Sequence, residues 1–400
     1  MKLQFLGATG TVTGSKYYLS TSQKNILIDC GLFQGVKQLR QKNWEALPVD
    51  PKQLDMVILT HAHIDHTGYL PLLVKNGFSG KVFCSAATMD LCKILLPDSA
   101  HLQEEEAAYA NKRGFSKHKP ALPLYTQEDA ETALKLLYPV AFNQEVMLDE
   151  DLSLTLYPNG HILGSAFVQL RHQHKTIVFS GDIGRPNDLL MYPPAQIKRA
   201  DYLILESTYG NRTHTPEDPK QKLKRIINET VRRHGAMIVP VFAVGRAQEL
   251  LYYIHLLKAS GEIPADIPVY LNSPMAVEAT HLYQRHHQLH RLNHAETEVL
   301  LHTAHMVSSI EESKRLNNLN GPMIILSASG MASGGRVVHH LKALAPNPNN
   351  TVLFVGFQAA GTRGYAMLDG ASTIKIHGEY VPVRAHVEYI SNLSAHADQR

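Results

Sequence analysis

Three cysteines and one tryptophan are all that the 400 residues contain. Cys30, Cys84 and Cys92 are odd in number, and their spacing fits neither a CxxC zinc site nor a disulfide framework. They read as reduced, packed thiols of a cytosolic protein. Trp44, the lone tryptophan, reads as a packing residue. No charge of one sign dominates, with 39 Lys+Arg against 36 Asp+Glu and a net charge of +3. That excludes a histone-like polycation but not a local basic groove. No apolar run approaches the ~18 residues of a membrane span. The first residues, with Gly7, Thr9, Gly10, Thr11 and Thr13, lack the apolar stretch of a signal peptide. Membrane and secreted classes are not expected. No repeat of about 20–50 residues and no low-complexity tract is visible.

What remains is an ordinary globular composition, 44% hydrophobic and 19% charged. At about 150 residues per domain it allows two or three domains. Short β-rich runs punctuate the first third: 2–6, 16–19, 26–30 and 56–60. Residues 70–76, 86–112 and 128–138 have helical character, with Glu104, Glu105 and Glu106 on a solvated face. Strand runs follow at 152–157, 166–171, 176–180 and 202–206. Strand sets separated by helices predict an α/β sandwich. Beyond residue 210, helical segments at 219–234 and 246–260 alternate with apolar strands at 237–242, 269–271, 323–326 and 351–355. That alternation predicts a parallel sheet with helices on both faces. Residues 209–373 therefore read as an inserted α/β domain, with 16 Lys+Arg against 12 Asp+Glu. The expected division is 1–208, insert 209–373, and a return of 374–400 to the first domain.

The strongest chemical signal is Thr60-His61-Ala62-His63-Ile64-Asp65-His66, directly after a short strand. In an extended or tightly turned segment, alternate side chains point the same way. His61 and His63 can thus grip one metal ion, while Asp65 and His66 face a second ion or a water. Imidazole and carboxylate ligands suit Zn²⁺. Other candidates also stand at strand ends beside glycine turns: Asp29, His161 in Pro158-Asn159-Gly160-His161-Ile162-Leu163-Gly164-Ser165, and Asp182 in Ser180-Gly181-Asp182-Ile183-Gly184. Such positions are held by a rigid sheet yet open to a cleft.

In this order, Asp29, His61/His63/Asp65/His66, His161 and Asp182, the chain resembles the metallo-β-lactamase fold. The further runs Glu206-Ser207-Thr208-Tyr209-Gly210, Ala243–Glu249, Ser327–Arg336 and Ser394-Ala395-His396-Ala397-Asp398 are similar to those of its β-CASP branch of nucleic-acid nucleases. The resemblance covers essentially the whole chain and implies an α/β fold: a metallo-β-lactamase αββα sandwich with an inserted β-CASP domain. It also implies a zinc-dependent ribonuclease that hydrolyses phosphodiester bonds of single-stranded RNA in RNA processing or decay. Of two zinc ions per chain, His61, His63 and His161 would hold the first. Asp65 and His66 would hold the second, and Asp182 would bridge both. Asp29 would orient a ligand. Asp65 could accept a proton from the attacking water, and Glu206 would pair with His396, the proton donor to the leaving oxygen. A cytoplasmic setting and a homodimer complete the expectation.

One departure from the family pattern stands out. The family places a further His, in a His-Gly-Glu context, some way past the Ser-Ala-His-Ala-Asp motif, and this chain ends at Arg400. His377-Gly378-Glu379 precedes His396 and is no substitute. The expectation is a truncated chain that lacks the last ligand of the second zinc.

Within the insert, the Gly- and Ser-rich runs Ser327–Arg336 and Gly356–Gly364 each follow a strand. In a nuclease cleft their backbone N–H groups would cradle RNA phosphates. Ser329, Gly330 and Gln358, with the guanidiniums of Arg246, Arg336 and Arg363, are the candidate contacts. His286, His290 and His294 share one face by i,i+4 spacing and read as a solvated helix face. Three other readings compete: a DNA nuclease of the same architecture, a small-molecule hydrolase such as a thioesterase, and an RNA-binding protein without catalysis. Nothing in the sequence reads the 2′-OH, and the long insert argues against a small substrate.

Overall fold

The computed structural model describes residues 1–114 and 116–399. The chain divides into two compact units, Met1–Gly210 and Asn211–Arg400.

The first unit holds two sheets. One runs in chain order: β1 (Lys2–Phe5), β2 (Tyr17–Ser20), β3 (Asn25–Ile28), β4 (Met56–Ile58), β5 (Lys81–Cys84) and β6 (Leu137–Pro139). β1 to β3 are antiparallel, and β3 to β6 are parallel. Parallel neighbours need crossovers. The helices Leu70–Lys75, Ala86–Arg113 and Gln127–Leu134 supply them after β4. The second sheet comprises β7 (Glu145–Met147), β8 (Leu152–Pro158), β9 (Ala166–His172), β10 (Lys175–Phe179) and β11 (Tyr202–Ile204), ordered β11-β10-β9-β8-β7.

Period-two patterning sets the core between these sheets. Leu152, Leu154 and Leu156 alternate along β8, and the register pairs Leu154 with Leu170 and Leu156 with Val168. They pack with Ile26, Ile28, Met56, Ile58 and Phe83 of the first sheet. Each such side chain contributes roughly 1.5–3 kcal/mol on burial. A one-residue slip would turn the whole set to the other face, so the register that places the strand-end loops is firmly held.

The second unit is built on a wholly parallel sheet, ordered β14-β13-β15-β12-β16-β19. Its strands are β12 (Ala236–Pro240), β13 (Val269–Leu271), β14 (His305–Met306), β15 (Met323–Ser327), β16 (Thr351–Val355) and β19 (His386–Ile390). Between β16 and β19 stands an antiparallel hairpin, β17 (Thr373–Ile376) with β18 (Glu379–Pro382). Every residue of β12, β15 and β16 is buried, as a central parallel strand covered on both faces requires.

The structure departs from the sequence expectations at four places. Residues 374–400 fall in the second unit, because β19 pairs with β16 along its length. The helix expected at 128–138 stops at Leu134, and Leu137–Pro139 become the strand β6. Trp44 is 62% exposed rather than packed. His286, His290 and His294 do not share a helix: one helix ends at Arg285 and the next begins at His294, capped by Asn293. His286 and His290 are buried, and His290 Nε2 donates to the Tyr283 carbonyl. Among the described residues, no helix is long and apolar enough to cross a membrane. All three cysteines are free and buried.

Candidate metal centre

The centre is assembled at strand ends of the first unit. After β4 the chain runs through Leu59 and Thr60, and the Thr60 carbonyl accepts from Ala166 N, 2.8 Å away. His61 follows with no exposure. His63 caps the short helix Ile64–Thr67 from its N-terminal side, and its carbonyl accepts from His66 N and Thr67 N. That single turn brings the His66 ring to 4.0 Å from that of His61, centroid to centroid. His161 sits in the turn after β8, where Ser165 Oγ accepts from His161 N at 3.0 Å. Asp182 sits after β10. Asn159 Nδ2 ties the two turns together by donating to the Ser180 and Asp182 carbonyls at 2.8 and 2.7 Å. Gly181 has φ +54, and a Cβ there would lie 2.7 Å from Thr60 Cβ. The Asp182 turn can approach the Thr60–His61 segment this closely only without a side chain.

Four donor atoms converge. His63 Nδ1 lies 3.1 Å from His61 Nε2 and 3.2 Å from His161 Nε2. Asp182 Oδ2 lies 3.5 Å from each of those two Nε2 atoms. His61, His161 and Asp182 are buried, and His63 is half-buried. Zn–N and Zn–O bonds of about 2.0–2.1 Å in a tetrahedron imply ligand–ligand edges of about 3.3 Å. The four observed edges bracket that value.

Protonation supports the same fit. Thr60 Oγ1 donates to Asp29 Oδ2 at 3.0 Å, so it accepts from His61 Nδ1, also at 3.0 Å. The proton of His61 is thereby held on Nδ1, and the Nε2 lone pair faces the convergence point. A second nitrogen fixed in this way is the usual arrangement of a metal-bound imidazole.

His66 occupies the other side of Asp182. Its Nε2 lies 3.2 Å from Asp182 Oδ1, and its Nδ1 lies 2.7 Å from Asp29 Oδ2. Burial alone would lower the His66 pKa, but the Asp182 and Asp29 carboxylates outweigh it and raise the pKa well above the ordinary value. A positive charge between His66 Nε2 and Asp182 is therefore favoured, whether proton or metal. The two Asp182 oxygens face different histidines, as a bridging carboxylate does. Asp65 stands in the same field. Burial pushes its carboxyl up, opposed by His66 and reinforced by Asp182.

Asp29 is fully buried at the end of β3. Its carboxylate accepts from Thr60 N at 2.8 Å and from Ser15 Oγ at 3.1 Å, besides Thr60 Oγ1 and His66. Glu206 accepts from Ile183 N at 2.7 Å and Thr208 N at 3.2 Å, and its own N–H donates to Ser180 Oγ. These bonds fix it against the Asp182 turn. His396 lies in the second unit. Its carbonyl is 2.8 Å from His214 Nε2, and Asp398 Oδ2 accepts from His214 N.

Within the second unit, the loops after β15 and β16 knit together. Gln358, buried, donates through Nε2 to the Gly330 carbonyl, and Ser329 Oγ accepts from Ser333 N. Arg363 donates to the Ala332, Ser333 and Lys375 carbonyls. Arg336 donates to Asn272 Oδ1 and to the Val307 and Ser308 carbonyls. Arg246 is buried and ion-paired with Glu249. The guanidiniums expected to face phosphate are thus engaged with the protein itself. Sequence reasoning missed the polar supports Ser15, Thr60, Asn159, Ser165 and His214. Thr60 heads the His-rich run, and Asn159 and Ser165 flank His161 in the same glycine turn; those proximities are the signals that mark them.

Comparison with known proteins agrees with this geometry. The family model described as the metallo-beta-lactamase superfamily matches residues 10–228, and the Beta-Casp domain model matches residues 247–367. The chain is 36% identical over 413 residues to ribonuclease TTHA0252 of Thermus thermophilus, covering 100% of this chain and 89% of that protein. It is 32% identical over 418 residues to the transcription termination factor FttA of Methanocaldococcus jannaschii. There it covers 100% of this chain but 63% of the longer factor, less than two thirds of its length. A solved protein of unknown function from Enterococcus faecalis shares the fold, with a TM-score of 0.53 at 14% identity over 99% of this chain and 88% of that one.

Proposed function

The chain belongs to the β-CASP family of the metallo-β-lactamase superfamily, and from that premise we propose that it is a metal-dependent ribonuclease hydrolysing phosphodiester bonds of single-stranded RNA. The observation that carries the reading is the convergence of His61, His63, His161 and Asp182 at tetrahedral spacing, with the His61 proton held on the far nitrogen. Zinc is the proposed metal, because three imidazoles and a carboxylate suit it.

A bound ion of this kind supplies charge that acidifies water and offsets that of the phosphodiester. The chain supplies the rest. His61, His63 and His161 would hold the ion through ring nitrogens. Asp182 spans from them to His66, which Asp29 holds in register. Asp65, whose raised pKa favours taking up a proton, is the proposed acceptor of the attacking water's proton. His396 keeps the proton-donor role, and Glu206 the carboxylate role, that their motifs imply. The RNA substrate and three buried reduced thiols fit a cytoplasmic setting, and association as a homodimer completes the proposal.

The test is cleavage of a 5′-labelled single-stranded RNA and of the DNA of the same sequence, with added Zn²⁺, beside Asp182→Ala. RNA cleavage that the variant loses supports the reading, and the product ladder separates endo- from exonucleolytic attack. Cleavage of the DNA alone, or equal cleavage by the variant, overturns it.

A further inference from the structure

A basic, acid-free segment lies far from the metal centre along the first unit's longest helix. Between Glu106 and Glu128 the sequence has no acidic residue, and Lys112, Arg113, Lys117 and Lys119 fall inside that stretch. All four are exposed, and none has a carboxylate partner among the described residues. Two of the three acids that precede the stretch are engaged elsewhere: Glu104 accepts from Gln127 Nε2 at 2.8 Å, and Glu105 lies 3.4 Å from His101. The Arg113 guanidinium stands over the half-exposed Tyr109 ring, 5.6 Å from its centroid.

These basic residues are carried on a built support. The 28-residue helix Ala86–Arg113 ends at Gly114, whose φ of 66 breaks it. Asn111 then clamps the chain's return: its Nδ2 donates to the Ala121 carbonyl, and Ala121 N donates to its Oδ1, at 2.9 and 2.7 Å. Beyond the clamp the segment is laced back along the helix. Leu124 N donates to Gln103 Oε1, and the fully buried Tyr125 hydroxyl meets Ser99 Oγ at 2.8 Å. The opposite end of the helix touches the metal centre's own scaffold. Ser85 Oγ and Thr88 Oγ1 both donate to the Gly164 carbonyl in the turn that carries His161. At about 1.5 Å rise per residue, the helix spans roughly 40 Å between the two.

We infer that Lys112, Arg113, Lys117 and Lys119 form a second docking point for the RNA backbone, remote from the cut. Basic side chains beside an aromatic face are the combination that holds single strands without reading sequence. At about 3.4 Å per stacked nucleotide, roughly a dozen nucleotides bridge the distance. The inference rests on the ribonuclease reading and adds a length requirement to it: RNA long enough to reach the loop is held more tightly than RNA that fills only the centre.

The test substitutes all four residues by Gln in the full chain. It measures affinity and cleavage with RNAs of about 24 and about 6 nucleotides, lengths chosen to exceed and to fall short of that span. The account expects the long RNA to bind about tenfold more weakly at low salt. The slope of log affinity against log salt should flatten by about 3, at roughly 0.7 for each of four phosphates that the variant leaves unneutralised. Cleavage of the short RNA is the internal control and stays at the wild-type rate. A variant with Lys and Arg exchanged at the four sites restores the long-RNA affinity. Equal loss on both RNAs, no loss on either, or loss confined to binding of phosphatidylserine vesicles overturns the inference. A wild-type chain that cleaves neither RNA removes the ribonuclease reading itself.

Discussion

Asp29 and His66, 37 residues apart in sequence, meet at 2.7 Å between Oδ2 and Nδ1. The same carboxylate also receives Thr60 N, Thr60 Oγ1 and Ser15 Oγ. One buried acid thus fixes the orientation of His66 and, through Thr60, the proton position of His61. Asp29→Asn keeps the shape and removes the charge. Metal retention after dialysis, read by elemental analysis, should fall by about 10–100-fold, as for other partners of metal-bound imidazoles. Unchanged retention would mean that the carboxylate serves the loop alone.

Metal removal should be visible in stability as well as in activity. A ligand present at about 1,000 times its Kd adds about 4 kcal/mol to a native state that alone binds it. Added Zn²⁺ should raise the Tm of the chelator-treated chain by several degrees, and His63→Ala should abolish that rise. An equal rise in the variant would place the bound ion elsewhere.

Gly31 tests the close backbone approach beneath the His-rich turn. A Cβ at this position would lie 1.5 Å from the Asp65 carbonyl oxygen, a backbone atom with no freedom to yield. Gly31→Ala should lower the Tm and reduce metal content together. Gly334→Ala, where a Cβ would meet nothing within 4 Å, should stay within about 0.5 kcal/mol of wild type.

A pH effect is expected in the second unit, remote from metal chemistry. His340 Nε2 accepts from Asn272 Nδ2 at 2.5 Å, and its Nδ1 donates to Asn317 Oδ1 at 2.6 Å. This arrangement requires neutral imidazole. Burial, with His339 and Arg336 nearby, lowers its pKa from 6.5 to about 4. The stabilisation is full above pH 6.5 and is lost as pH falls toward about 4, because the unfolded chain takes up the proton first. The loss is about 3 kcal/mol. Hydrogen exchange in β12 and β15 should show this dependence, and His340→Gln should flatten it.

Much of the candidate site was legible because its chemistry is local. His61, His63, Asp65 and His66 lie in one run, and Asp29, His161 and Asp182 each end a strand beside a glycine turn. The bonding partners of the supporting layer were not legible. Ser15, Thr60 and Asn159 are common turn residues, and their partners are 14 to 31 residues away. Apolar alternation marked most of the strands in both units. It did not separate a short strand such as Leu137–Pro139 from the helix before it, since three residues carry no period. It also could not show that β19 pairs with β16, because sheet partners are chosen in space. His286, His290 and His294 misled for a related reason: i,i+4 spacing says nothing unless one helix spans it.

The most direct test of the central claim is a zinc titration of the chelator-treated chain, followed by cleavage rate on a labelled single-stranded RNA. The account predicts no cleavage without metal, a rate that rises and saturates as the ion binds, and no recovery at any zinc concentration in folded His161→Ala. Cleavage by the metal-free chain at the rate of the loaded one would contradict it.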